Sequence, residues 1–237
     1  MATATTQTVA DRIADLDWPA LTERMDADGF VQTPPVYTTA ECRALSDEFE
    51  DGRFRSTIDM RRYRFGEGAY KYFDAPLPAL IDDARHALYP PLAAIANTWA
   101  DQLGEDVEYP PDLEDFLARC HAAGQQRTTP LILRYGAGGH NTLHQDLYGD
   151  IAFPLQAVTI LDTDFEGGQF VLLEQRPRAQ SRAHVIDLER GGFLIFPTRH
   201  RPVLGTRGHY RANMRHGVAT VRSGQRTTLG IIFHDAA

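Results

Sequence analysis

Apolar residues recur at helical spacing through the first half of the chain, then give way near residue 125 to short runs punctuated by glycines. Thr38 or Thr39, followed by Ala40-Glu41-Cys42, predicts a helix start, with the helix running over 39–49. Within 76–101, Leu77, Ile81, Leu88, Leu92 and Ile95 mark one helix face. Pro90-Pro91 interrupts it; proline lacks an amide proton and crowds the preceding turn, so two helices or one broken helix are expected. A third amphipathic helix is expected over 112–122. Between the first two, residues 61–73 set four basic residues among five aromatics and two glycines. That composition suits a loop or hairpin, which could stack on bases and hold phosphates or pack its rings on the core.

After Thr128, strands are predicted over 130–135, 153–161, 169–173, 184–188, 193–196, 213–221 and 227–233. Gly136-Ala137-Gly138-Gly139, Gly167-Gly168, Gly191-Gly192, Gly205 with Gly208, and Ser223-Gly224 supply the turns. Many short strands without intervening helices point to a sandwich or barrel, not a parallel α/β sheet. The expected class is α+β, mainly β: a double-stranded β-helix (a cupin-like jelly roll) with N-terminal helices packed on it. A single domain over 1–237 is expected, mainly helical over 1–125 with the jelly-roll core over 126–237.

Charge changes the picture only by its distribution. The net charge is −8, yet residues 1–130 carry 12 basic and 23 acidic side chains while residues 131–237 carry 12 and 9. The second half is mildly basic and its cations are all arginine, which suits bidentate contacts to carboxylate or phosphate. Cys42 and Cys120 form no CxxC pair, which excludes a disulfide framework and a thiolate zinc site. No basic leader with an apolar core opens the chain and no apolar run reaches membrane length, so a cytoplasmic protein with no membrane partner is expected.

Candidate chemistry centres on His144-Gln145-Asp146. Residues i and i+2 of an extended segment share a face, so His144 and Asp146 can bind one ion at a barrel mouth. His216 lies in a predicted strand that a jelly roll can bring to the same place. Two imidazoles and a carboxylate favour Fe(II) or Mn(II) over structural zinc and leave one face of the ion open. Among the other histidines, His140 is four residues from His144, a spacing useful only on a helix that Gly138-Gly139 disfavours. His200 and His209 are read as loop residues, and His234 with Asp235 as structural. Arg226 immediately precedes the last predicted strand, and a guanidinium in a barrel core is costly unless an anion such as a dicarboxylate pairs it. Thr228 points the same way, and Tyr135 ends its own strand as a third donor.

Together these residues resemble the 2-oxoglutarate/Fe(II)-dependent dioxygenase superfamily, with a His216-to-Arg226 step similar to that of prolyl-hydroxylase-like members. More narrowly, Leu143-His144-Gln145-Asp146-Leu147-Tyr148-Gly149, the stretch from Glu174 to Arg182, and Leu229 to Asp235 resemble a bacterial family of 2-oxoglutarate oxygenases described as acting on alkylated DNA. The likeness extends from about Tyr63 to the C-terminus. It implies that His144, Asp146 and His216 bind Fe(II) and that Arg226, with Thr228 and Tyr135, binds 2-oxoglutarate. O2 and 2-oxoglutarate would then be consumed to hydroxylate a substrate, oxidative demethylation of an alkylated nucleobase being the first expectation. Arg64, Tyr70, Arg176, Arg178 and Arg182 are the candidate nucleic-acid contacts. A hydroxylase of a peptide or small metabolite is the alternative, and a non-catalytic cupin-like sensor the third reading.

Overall fold

Two short helices, α1 (Val9–Ala14) and α2 (Trp18–Asp28), lead into strand β1 (Val31–Pro35) in the computed structural model, which describes residues 7–237. Helix α3 (Thr39–Asp51) starts at Thr38, whose hydroxyl accepts from the Glu41 amide while the Glu41 carboxylate accepts from the Thr38 amide. Strand β2 (Phe54–Asp59), the single turn α4 (Met60–Tyr63), and strands β3 (Gly66–Glu67) and β4 (Ala69–Phe73) follow. Segment 61–73 is therefore divided. Its first half is a turn on the rim, while β4 is an internal strand paired with β2 on one side and β5 (Leu131–Tyr135) on the other.

The break expected at Pro90-Pro91 does not occur. Helix α5 (Ala79–Leu103) runs on with both prolines inside it. Pro90 faces solvent, while Leu88, Tyr89, Leu92 and Ala93 stay buried on either side. Packing of that continuous face outweighs the lost backbone hydrogen bonds. Helix α6 (Leu113–Ala122) matches the third expected helix.

The remaining strands are β6 (His140–His144), β7 (Leu155–Ile160), β8 (Phe165–Gly167), β9 (Phe170–Gln175), β10 (Arg182–Ile186), β11 (Gly192–Pro197), β12 (His200–Gly205), β13 (Gly208–Val218), β14 (Val221–Gly224) and β15 (Arg226–Ile232). With β1 to β5 they form a seven-stranded sheet ordered β1-β11-β7-β15-β5-β4-β2 and a facing sheet ordered β10-β9-β13-β6-β3, with β12 also on β13, while β8 and β14 pair with each other as a separate ribbon. All the paired strands are antiparallel, and the result is a double-stranded β-helix. His200 and His209 lie in strands, not loops, a correction to the sequence reading. They belong to the β12–β13 hairpin, where Leu204 pairs with His209 and Val203 with Tyr210. β12 pairs only with β13, so Pro202 removes no shared ladder bond, and the arginine-rich composition hid the strand.

Alternation along β15 builds two cores at once. Leu229 and Ile231 point outward, joining Ile132, Leu155, Ala157 and Phe193 under α5 and the other helices. Arg226, Thr228 and Gly230 point between the sheets, where Val158, Phe170, Leu172, Phe196 and Met214 form the inner core. Every residue of β15 is buried because both its faces are covered. Arg85 of α5 locks the helical layer to the sheet end by donating to the Ile232 and Phe233 carbonyls at 3.0 Å and to Asp235 at 2.9 Å.

His234 beside it is enclosed, and its Nδ1 accepts from the Phe153 amide at 3.2 Å. Burial, aided by the Arg85 charge, pushes its pKa down from 6.5 to about 4. Between those values the unfolded chain binds a proton that the native chain does not, so stability falls as pH drops through that window. The contribution is roughly 3 kcal/mol, and urea unfolding at pH 7 and pH 4.5 should show His234→Asn with a flatter pH dependence than the wild type.

Candidate active site

His144, at the end of β6, sits directly across from His216 of β13, and their ring centroids are 4.2 Å apart. Asp146 follows two residues later. Its Oδ2 is 3.1 Å from His216 Nε2 and its Oδ1 3.5 Å from His144 Nε2; the three donor atoms lie within 4.8 Å of one another. His144 Nδ1 is 2.8 Å from the Thr142 carbonyl, which can only accept, so this nitrogen carries the proton and Nε2 keeps its lone pair. His216 stacks on Phe170 at 5.7 Å and meets the edge of Phe196 at 4.9 Å, which fixes its ring plane. Gln145 turns away and donates to the Arg199 and Met214 carbonyls at 2.8 Å, pinning this segment to β13.

Burial alone would raise the pKa of Asp146, but the adjacent His216 and His144 hold it well below the usual carboxylate range. Burial lowers His216, whereas the Asp146 carboxylate lifts His144 despite burial. The Tyr148 hydroxyl donates to Asp146 Oδ1 at 2.8 Å, occupying one carboxylate oxygen. Two borderline nitrogen donors and one hard oxygen, without thiolate, fit Fe(II) or Mn(II). Both cysteines belong instead to the helix-side core.

The triad opens on a cavity of about 240 Å³ between the sheets. On its opposite wall Arg226 pairs in register with Tyr135, and Thr228 follows on the same face. Arg226 is only 1% exposed. Its Nε has no partner, its Nη1 reaches Thr228 Oγ1 at 3.5 Å, and its guanidinium carbon lies 5.6 Å from the Tyr135 ring centre. No carboxylate pairs with it among the described residues. Burial pulls its pKa down to about 10 and pushes Tyr135 up to about 12. An uncompensated guanidinium in a closed pocket is a site built for an anion. The backbone makes room for it: at Gly168, φ +65°, a Cβ would lie 2.8 Å from the Arg226 Cδ, and at Gly68, φ +149°, 2.8 Å from the Tyr135 ring.

His144, Asp146, His216, Arg226, Thr228, Tyr135 and Tyr70 all line this one cavity. Arg64 does not, but it adjoins Phe65, which does. Arg176 and Arg178 lie in the turn between β9 and β10 and Arg182 opens β10, outside the cavity lining and at the sheet edge opposite β3. Arg176 is engaged by the buried Glu174 at 2.5 Å, which Arg201 also holds at 2.7 Å. The lining residues that sequence reasoning missed as site residues include Tyr148, Thr142, Asn141, whose amide donates to the Tyr135 hydroxyl at 3.4 Å, and Gln156. Gln156 left one trace, a long polar side chain inside an otherwise compact buried strand.

No helix among the described residues is long and apolar enough to cross a membrane. Residues 68–236 match the Oxygenase-NA family, described as an oxygenase catalysing oxidative methylation of damaged DNA. An uncharacterized protein from Mycobacterium tuberculosis is 48% identical over 190 residues, 79% of each chain. Among solved structures, a Pseudomonas putida prolyl-4-hydroxylase superposes with a TM-score of 0.57 at 14% identity, over 93% of this chain and 99% of that one. The non-heme alpha ketoglutarate dependent epimerase SnoN from nogalamycin biosynthesis gives 0.50 at 14% identity, over 90% and 79%. At such identity the likeness is one of fold. The chain belongs to the Oxygenase-NA family and is an oxygenase on the double-stranded β-helix of the 2-oxoglutarate/Fe(II) oxygenases.

Proposed function

We propose that the chain oxidises an alkylated nucleobase, using Fe(II), 2-oxoglutarate and O2. The observation that carries the cofactor assignment is the buried, anion-free Arg226 facing a His-Asp-His cluster across one cavity. His144, Asp146 and His216 would hold the iron, while Arg226, Thr228 and Tyr135 would hold the far carboxylate of 2-oxoglutarate. When bound, this centre supplies oxidation of an unactivated C–H bond, converting 2-oxoglutarate and O2 to succinate, CO2 and a hydroxylated substrate.

The residues divide the remaining work. Thr142 sets the His144 tautomer, Phe170 and Phe196 hold the His216 plane, and Tyr148 leaves Asp146 one oxygen free. The apolar inner core keeps water from the reacting carbon. Hydroxylation of an N-methyl group gives an N-hydroxymethyl product that releases formaldehyde and restores the N–H. Tyr148→Phe should weaken Mn(II) binding by about tenfold to a hundredfold with the fold intact, read by titration calorimetry.

The family description supports the DNA reading, and the rim adds to it. Tyr63 and Phe65 are exposed and stacked at 5.7 Å, with Arg62 over Tyr63 at 5.9 Å. Arg64 follows Tyr63 with φ of 61°. A solvent-facing aromatic pair flanked by arginines at the cavity mouth suits a base unstacked from its strand. The His216-to-Arg226 spacing favours the second reading, a peptide hydroxylase. Succinate formation driven by oligonucleotides carrying an N-methylated base, matched by formaldehyde, supports the first. A response to prolyl peptides alone overturns it in favour of the second.

A further inference from the structure

The cavity has a second polar pole that the iron and cosubstrate leave unused. Gln156 of β7 is 4% exposed and lines the cavity, and its Nε2 is sealed from solvent without a hydrogen-bond partner. A buried, unpaired amide disfavours the folded chain and is retained where a ligand satisfies it. Strand register sets Gln156 apart from the end of the cavity where Arg226 and Thr228 would hold the far carboxylate of 2-oxoglutarate. Thr228 pairs with Ile160, whereas Gln156 pairs with Ile232, four residues further along the same strand pair. That backbone offset is roughly 13 Å. Gln156 also lies across from Phe196, the ring that edges His216, so a group bonded to it sits beside the triad.

The surroundings narrow the ligand. Apart from the triad and Arg226, no charged side chain lines the cavity among the described residues; Leu131, Val158, Phe196, Tyr70 and Tyr148 supply flat apolar walls. A carboxamide offers a donor beside an acceptor in one plane, and its complement is a planar edge with acceptor beside donor. Adenine has that edge in N7 and N6, and alkylation at N1 leaves it free. We propose that Gln156 is a substrate-reading residue that pairs with the free N6/N7 edge of an alkylated adenine. This assignment rests on the nucleobase reading above.

Two single-stranded oligonucleotides, one bearing 1-methyladenine and one its 7-deaza analogue, test it with iron and 2-oxoglutarate present. Wild type should demethylate the first at least about tenfold faster than the second, which lacks the acceptor. Gln156→Met, close in volume, should treat both alike at about a tenth to a hundredth of the wild-type rate. Its metal-free, ligand-free thermal midpoint should rise, because an unpaired buried amide is gone. A lower midpoint would make Gln156 structural, and an unchanged rate or an intact preference for the 7-aza base would also overturn the assignment. Failure of the wild type on both oligonucleotides would instead remove the nucleobase reading itself, and this assignment with it.

Discussion

Asp146→Ala is expected to abolish turnover, with kcat/KM falling at least about a thousandfold, roughly 4 kcal/mol of transition-state stabilisation. The substitution leaves two imidazoles, both uncharged when they ligate, as the remaining donors of the cluster. A divalent ion taken from water into this cavity then lacks its only anionic ligand, and the open face chemistry needs is no longer defined. The fold should survive. Asp146 touches His144, His216 and Tyr148 and holds no strand in place, so its removal exposes no hydrophobic core. Mn(II) titration and succinate formation, with circular dichroism as the fold check, measure the effect. A variant that keeps both metal affinity and turnover would show that the ion binds elsewhere.

Arg226→Met is expected to separate stability from function. Binding of 2-oxoglutarate should weaken by about 2–5 kcal/mol, the range for truncating one partner of a buried charge pair. The ligand-free chain should become more stable, since among the described residues Arg226 has no anionic partner and its Nε no hydrogen bond. Metal affinity without 2-oxoglutarate should change little, because the triad lies on the facing sheet. Calorimetric titration of 2-oxoglutarate into the Mn(II)-loaded chain, alongside thermal unfolding, reads both halves. A fall in stability would mean that Arg226 holds the sheets together and does not wait for an anion.

What was legible in the sequence follows a physical rule. His144 and Asp146 could be paired because i and i+2 on an extended segment share a face, and Arg226 and Thr228 for the same reason. Their meeting with His216 depends on the β6–β13 ladder, a long-range pairing that local pattern suggests and does not determine. The glycine-punctuated texture marked most jelly-roll strands, yet β12 was hidden because Arg201 and Pro202, with Arg199 and Arg207 around the strand, read as a loop. Pro90 and Pro91 misled in the opposite sense, since helix continuity there comes from packing that propensity does not encode. The β9–β10 arginines looked free for phosphate because Glu174, which claims Arg176, gives no sign in sequence that it is buried. Gln156 was passed over because a polar residue in a strand is ordinarily on the wet face, and β7 has none.

The central claim is that one cavity holds iron and 2-oxoglutarate between the His144-Asp146-His216 cluster and Arg226. Visible absorbance of the anaerobic chain with Fe(II), before and after adding 2-oxoglutarate, tests it most directly. A metal-to-ligand charge-transfer band should appear in the wild type, be lost in Asp146→Ala, and require much higher 2-oxoglutarate in Arg226→Met. No band from a folded wild type, or an equal band from Asp146→Ala, would contradict the claim.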